Sequence, residues 1–261
     1  MIIALAIIGC LVGLLSGLLG IGGGIIIVPA LNIYFQNKTY FETQHLMHIS
    51  VATSITIVLI TALRTSYFYA KHHKINWDIF KTMSPGLAVG GLTGSYCTQW
   101  IEGAYYHQLF GVFLFLVAIK VFFLSNQDPH PDHEIHVPIA LRFLAIFIGL
   151  ISSVLGISGG IILTPLFFHY RLHTLSAIGT ATICTLPIVF TSSIVLNLLH
   201  APENIPGLIG YVYWPAVLSI GIFSMLLSPI GGNLAKILPE KTLKILLGLL
   251  LIVSAGKMLT L

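Results

Sequence analysis

The chain has 261 residues, of which 56% are hydrophobic and 8% charged, with a formal net charge of +4. Soluble domains carry about 25% charged residues, and 12 Lys/Arg plus 8 Asp/Glu cannot cover a chain of this length, so apolar groups must face lipid as well as core. A soluble globular protein is excluded, and the basic excess reads as membrane-flanking loops rather than a nucleic-acid partner.

Taken from the start, Ile7-Ile8-Gly9-Cys10 has the look of a lipoprotein cleavage site, but no Lys or Arg precedes it and the apolar stretch runs on. A retained membrane segment is expected. Cys10, Cys97 and Cys184 all lie in apolar runs and are odd in number, which suits packing rather than a disulfide framework.

Stretches free of Asp, Glu, Lys and Arg cover residues 1–37, 43–63, 82–101, 103–119, 143–170, 172–202, 204–235 and 245–256, eight runs in two groups of four. Between the groups lies Ser125 to His136, a polar interruption with two prolines and three acids that reads as a solvated linker. Its His130, His133 and His136, interleaved with Asp128, Asp132 and Glu134, have metal-ligand chemistry, yet a proline-bearing loop favours solvation. The expected organisation is a first transmembrane repeat at 1–124, a polar cytoplasmic linker at 125–141 and a second transmembrane repeat at 142–261.

The halves are duplicates. Gly13 to Pro29 matches Gly149 to Pro165 at 11 of 17 positions with an offset of 136, and an offset of 137 superimposes Trp77 on Trp214, Gly94 on Gly231, Gly111 on Gly248 and Lys120 on Lys257.

The first run of each half is too long for one crossing: 37 helical residues extend about 55 Å, against a hydrocarbon core of about 30 Å. Each carries a glycine cluster near its middle, Gly20-Ile21-Gly22-Gly23-Gly24 and Gly156-Ile157-Ser158-Gly159-Gly160, where the helix should break. If each broken segment re-enters and three full helices follow, ten of the twelve Lys and Arg fall on one side, leaving Lys38 and Lys257 opposite. If every segment crosses once, the bias falls to seven against five. The positive-inside rule prefers re-entry. The expected fold is therefore an all-α integral membrane protein of two inverted repeats, each a re-entrant broken helical hairpin plus three transmembrane helices. Both termini should face the periplasm and the linker the cytoplasm.

Broken helices at membrane depth are tolerated only against protein or a watery cavity, and in inverted pairs they characterise secondary transporters. The second half-helices begin at Gly22, Gly23 and Gly24 and at Ser158, Gly159 and Gly160. Their free N–H groups and positive dipole ends can hold an anion without a Lys or Arg. The alternative for these glycines is close packing of the small-xxx-small type, which leaves the duplicated Pro29 and Pro165 unexplained.

The duplicated element Gly20-Ile21-Gly22-Gly23-Gly24 through Pro29 resembles that of the sulfite exporter TauE/SafE family, and the resemblance covers both halves. The second copy departs from the pattern at Ser158, which stands where the first has Gly22. The resemblance continues at Val51-Ala52-Thr53-Ser54 and Ile178-Gly179-Thr180-Ala181, making Thr53, Ser54 and Thr180 candidate substrate hydroxyls; the competing role is a bond to their own helix backbone. It implies a secondary transporter that exports a small sulfur-containing anion, such as sulfite, sulfoacetate or a related organosulfonate, across the bacterial cytoplasmic membrane. Two rival readings are a non-transporting membrane anchor or assembly partner, and a cation carrier using half-helix carbonyls.

Arg64 follows 21 uncharged residues and either draws anions in or snorkels to headgroups; snorkelling is favoured. No carboxylate lies deep in an apolar run, so the usual marker of a proton relay is missing. No nucleophile with its base, phosphate loop or catalytic carboxylate pair is present, so neither an enzyme nor a cofactor is expected. The expected partners are a small anionic substrate and the bilayer, with homodimerisation left open.

Overall fold

The computed structural model describes residues 2–36, 45–124, 140–170, 172–199 and 205–259. The first half contains α1 (Ile2–Leu19), α2 (Gly24–Gln36), α3 (Leu46–Lys71), α4 (Trp77–Cys97) and α5 (Gly103–Leu124). The second contains α6 (Ala140–Leu155), α7 (Gly160–His169), α8 (Thr174–Leu198), α9 (Trp214–Ile237) and α10 (Glu240–Leu259), with a two-residue antiparallel pair, β1 (Leu208–Ile209) and β2 (Val212–Tyr213), between α8 and α9. The linker and its histidines lie outside the described residues, apart from its last two positions.

The protein is an all-α membrane protein. Leu46–Lys71, Thr174–Leu198, Trp214–Ile237 and Lys241–Leu259 are long and apolar enough to cross a membrane. Large apolar side chains stand fully outward, among them Phe143, Phe147, Leu226 and Val253, an arrangement that lipid accommodates and water does not.

Local chemistry sets the helix ends. Asn76 caps α4 by accepting the N–H groups of Asp78 and Ile79, each at 3.1 Å, and Asp78 in the first turn complements the helix dipole. Pro215 opens α9, where a missing N–H costs nothing.

Both long apolar segments break at their glycine clusters, as expected. In the first, Gly20, Gly22 and Gly23 all take positive φ; in the second, only Gly156 does. This difference accounts for Ser158: the chain there keeps a negative φ, so a side chain is tolerated where Gly22 needs none.

Glycine stripes decide how helices pair. Gly9 rests on Ile220, Gly13 on Ser224 and Gly17 on Ser228, so α1 runs parallel to α9 in close backbone contact. Likewise Gly86 rests on Arg142 and Ala145, Gly90 on Ile146 and Gly149, and Gly94 on Leu150 and Ser153, so α4 runs parallel to α6. Each broken hairpin thus lies on the fourth helix of the other half. Equivalent helices oppose one another: Thr56 meets Ser193 at 3.2 Å and Gly179 abuts Lys74, so α3 and α8 are antiparallel. In the same way Gly111 of α5 touches Leu259 and Ala255 of α10.

α1 starts level with the start of α9, and Phe35 near the end of α2 packs edge-on against Tyr213, which immediately precedes α9, at 5.5 Å. The first hairpin therefore returns to the end from which it departs. α7 leads within four residues to α8, whose Thr180 accepts the N–H of Asn76 ahead of α4. It too ends where α4 and α6 begin.

Candidate functional site

The two breaks meet. The Ser158 hydroxyl donates to the carbonyl of Ile21, and a Cβ added to Gly22 would stand 2.6 Å from the Ser158 Cβ. A Cβ on Gly24 would stand 2.9 Å from the Gly156 carbonyl oxygen, and Gly160 borders the Gly20 carbonyl in return. The contact is reciprocal, as duplicated elements related by a pseudo-two-fold require: Gly20 lies against Ile178 of α8, and Gly156 lies against Val51 of α3. Ser54 joins the junction by donating to the Gly156 carbonyl at 2.9 Å.

Residues 20–25 and 156–160 are all buried, so every backbone group here needs a partner or goes without. In the first break the N–H groups of Gly22, Gly23, Gly24 and Ile25 take no hydrogen bond among the described residues. These are the orphan donors of the α2 start. In the second, Ser158 and Gly159 keep unpaired N–H groups, but Gly160 does not, because its N–H donates to the Thr185 hydroxyl at 3.0 Å. Of the six break residues singled out as anion donors, Gly160 is thus the one whose N–H is already engaged.

Two further hydroxyls escaped the sequence reading. Ser16 and Ser152, one turn before each break and related by the same offset of 136, are fully buried and lack a hydrogen-bond partner among the described residues. Their signal was present, since both belong to the matched positions of the duplicated segment.

Thr53, Thr180 and Arg64 separate from the junction, whereas Gly23 and Gly159 stay within the breaks. Gly23 faces Val12 of its own hairpin, and Gly159 faces Ile188 of α8. Thr53 accepts the N–H of Tyr213 at 2.9 Å, and Thr180 accepts that of Asn76 at 2.9 Å. Each hydroxyl therefore satisfies the chain that enters the fourth helix of the opposite half, a role not read from the sequence. Arg64 is half-buried on α3 with its guanidinium 5.8 Å from the Tyr67 ring, and no hydrogen bond joins it to the junction.

Charge at the junction comes from peptide dipoles alone. Among the described residues, the buried polar side chains are serines, threonines and Asn32. A site of unpaired N–H groups and hydroxyls, with no carboxylate beside it, offers donors to an oxyanion.

Broken hairpins buried among membrane helices are an arrangement that multi-pass transporters use. The sequence profile of the sulfite exporter TauE/SafE family matches residues 5–258, and the chain belongs to that family. It is 27% identical over 254 residues to a probable membrane transporter protein of Haemophilus influenzae, covering 97% of this chain and 96% of that one. It is 28% identical over 249 residues to a probable membrane transporter protein of Methanocaldococcus jannaschii, covering 95% and 91%. The probable membrane transporter protein YunE of Bacillus subtilis is 21% identical over 269 residues, covering 96% and 94%. No solved structure matches the chain.

Proposed function

We propose that this transporter exports a small sulfur-containing anion, sulfite or an organosulfonate such as sulfoacetate, across the bacterial cytoplasmic membrane. The observation that carries the reading is the row of buried, unpaired N–H groups from Gly22 to Ile25, facing a second break whose Ser158 and Gly159 N–H groups are also unpaired. Such donors bind an oxyanion at a desolvation cost lower than a fixed Lys would incur. The family name supplies the sulfur; the geometry supplies the preference for an anion. Two opposed hairpins that rock about their contact would expose the donors to either side in turn, with the termini periplasmic and the basic ends of α3 and α4 cytoplasmic.

The test is a proteoliposome panel of sulfite, sulfoacetate, sulfate and taurine. Saturable flux of sulfite or sulfoacetate, lost with Gly23→Val, is expected. Flux of none of the four, or flux of a cation alone, would overturn the reading in favour of an anchor or a cation carrier.

A further inference from the structure

Away from the hairpin tips, a cavity of about 660 Å³ opens between α4 and α6, lined by Lys81, Thr82, Pro85, Gly86, Val89, Arg142, Phe143 and Ile146. Its chemistry is graded along its length. Lys81, Pro85 and Val89 recur every four residues down one face of α4, and Arg142 and Ile146 do the same on α6. Because these helices are parallel and Gly86 rests on Arg142, Arg142 enters the groove about 7 Å beyond Lys81; helical side chains tilt toward the start of their helix, so its guanidinium is within reach of the end that Lys81 and Thr82 line. Eight residues of helix carry the groove about 12 Å from Lys81 to Val89.

Apart from Lys81, Arg142 and Thr82 the lining residues are apolar, and Val89 and Phe143 are exposed, 48% and 64% respectively, as is Phe147 one turn after Phe143. Neither Lys81 nor Arg142 has an ion-pair or hydrogen-bond partner among the described residues, and Asp78, a turn before Lys81, is exposed without bonding either. The same end of the molecule carries Lys71 and Lys74.

We propose that this groove is a specific site for an anionic phospholipid. The phosphate binds Lys81, Arg142 and the Thr82 hydroxyl, and an acyl chain lies along Pro85, Val89, Phe143 and Ile146. A free anion would satisfy the cations but leave the apolar groove open, whereas a phospholipid matches both ends at once; basic pockets between transmembrane helices hold such headgroups. Four lining residues besides Gly86 come from the first half and three from the second, so the lipid would tie the second hairpin to the opposite half at the point where α6 must move for the site to change sides.

The test uses the full chain purified in detergent, with lipid binding measured by native mass spectrometry and by thermal shift. Dioleoylphosphatidylglycerol should bind the unmodified protein and raise its melting temperature, whereas dioleoylphosphatidylcholine, glycerol 3-phosphate and inorganic phosphate should not. The pair Lys81→Gln and Arg142→Gln should weaken phosphatidylglycerol binding about 30-fold, from the contribution of about 1 kcal/mol per basic residue. The pair Lys236→Gln and Lys241→Gln removes the same charge elsewhere and should leave binding unchanged. Equal losses in the two pairs would reduce the effect to overall charge, and equal binding of phosphatidylcholine would remove headgroup recognition. Binding of glycerol 3-phosphate or phosphate at comparable concentration would make the groove a free-anion site; any of these results overturns the proposal.

Discussion

Substituting Gly22→Ala in two backgrounds tests whether the hairpin tips touch as described. Gly22 has φ of +62°, and an added Cβ would lie 2.6 Å from the Ser158 Cβ and 2.8 Å from Val58 Cγ1. Carbon atoms rest at about 3.5–4.0 Å, so the tips must part by roughly 1 Å. Two costs combine: about 1–2 kcal/mol for a left-handed residue with a side chain, and about 1–3 kcal/mol for overpacking. In a Ser158→Gly background the first cost and the crowding against Val58 Cγ1 persist, while the part of the second that comes from the Ser158 side chain disappears. Ser158→Gly carries its own penalty, since the Ile21 carbonyl loses a donor, and the double-mutant cycle subtracts it. The expected coupling is the Ser158 share of the overpacking, about 1–2 kcal/mol, favourable in the double variant. It is read from equilibrium unfolding of the detergent-solubilised protein. A coupling below about 0.5 kcal/mol would refute the direct contact between the breaks and, with it, the placement of the substrate site.

Thr185→Val should cost about 1–3 kcal/mol, because the Gly160 N–H then joins the unpaired set in a dry setting; Thr185→Ser should restore most of the loss in the same unfolding assay. Thr53→Val should lower stability by a similar amount while leaving the KM of residual transport unchanged, since its hydroxyl serves Tyr213; a raised KM would return Thr53 to the substrate site. Alkaline phosphatase fused at Leu261 should be active, whereas fusion at Pro131 should be silent, and an active Pro131 fusion would contradict the inverted arrangement. In liposomes clamped with potassium and valinomycin, with pH and sodium equal, sulfonate flux should follow the imposed potential. At 100 mV about 2.3 kcal/mol per charge sustains roughly a 50-fold gradient, and flux that ignores the potential but follows a proton or sodium gradient would reveal a coupling ion.

The breaks were legible because glycine clusters inside an over-long apolar run have no other helical outcome. The partners of the broken hairpins were not. That α1 would lie on α9 depends on Gly9, Gly13 and Gly17 finding the Ile220–Ser228 face more than 200 residues away, and periodic glycines do not name their complement. The hydroxyls show the same limit. Thr53 and Thr180 sit in matching motifs and resemble ligands, yet their assignment turns on where Tyr213 and Asn76 fold back, which a linear reading cannot locate. Ser158 stood out as a departure from the motif, and its tolerance became intelligible only from the backbone: one left-handed glycine in the second break, three in the first. The short β1–β2 hairpin was not anticipated, since two-residue strands leave no periodicity to read.

The exchange of partners between the halves bears on how the protein is made. α1 leaves the ribosome well before the helix that covers its glycine face, which begins at Trp214. At roughly 5–20 residues per second, about 10–40 s of synthesis separate the two. Throughout that interval the nascent first hairpin presents a bare glycine groove to lipid, and its apolar length must be held in the bilayer without its final neighbour. The first hairpin is therefore closed late, after α6 can already have met α4, with α9 as the keystone. A ribosome stalled before that helix leaves a chain whose first hairpin has nothing to close against.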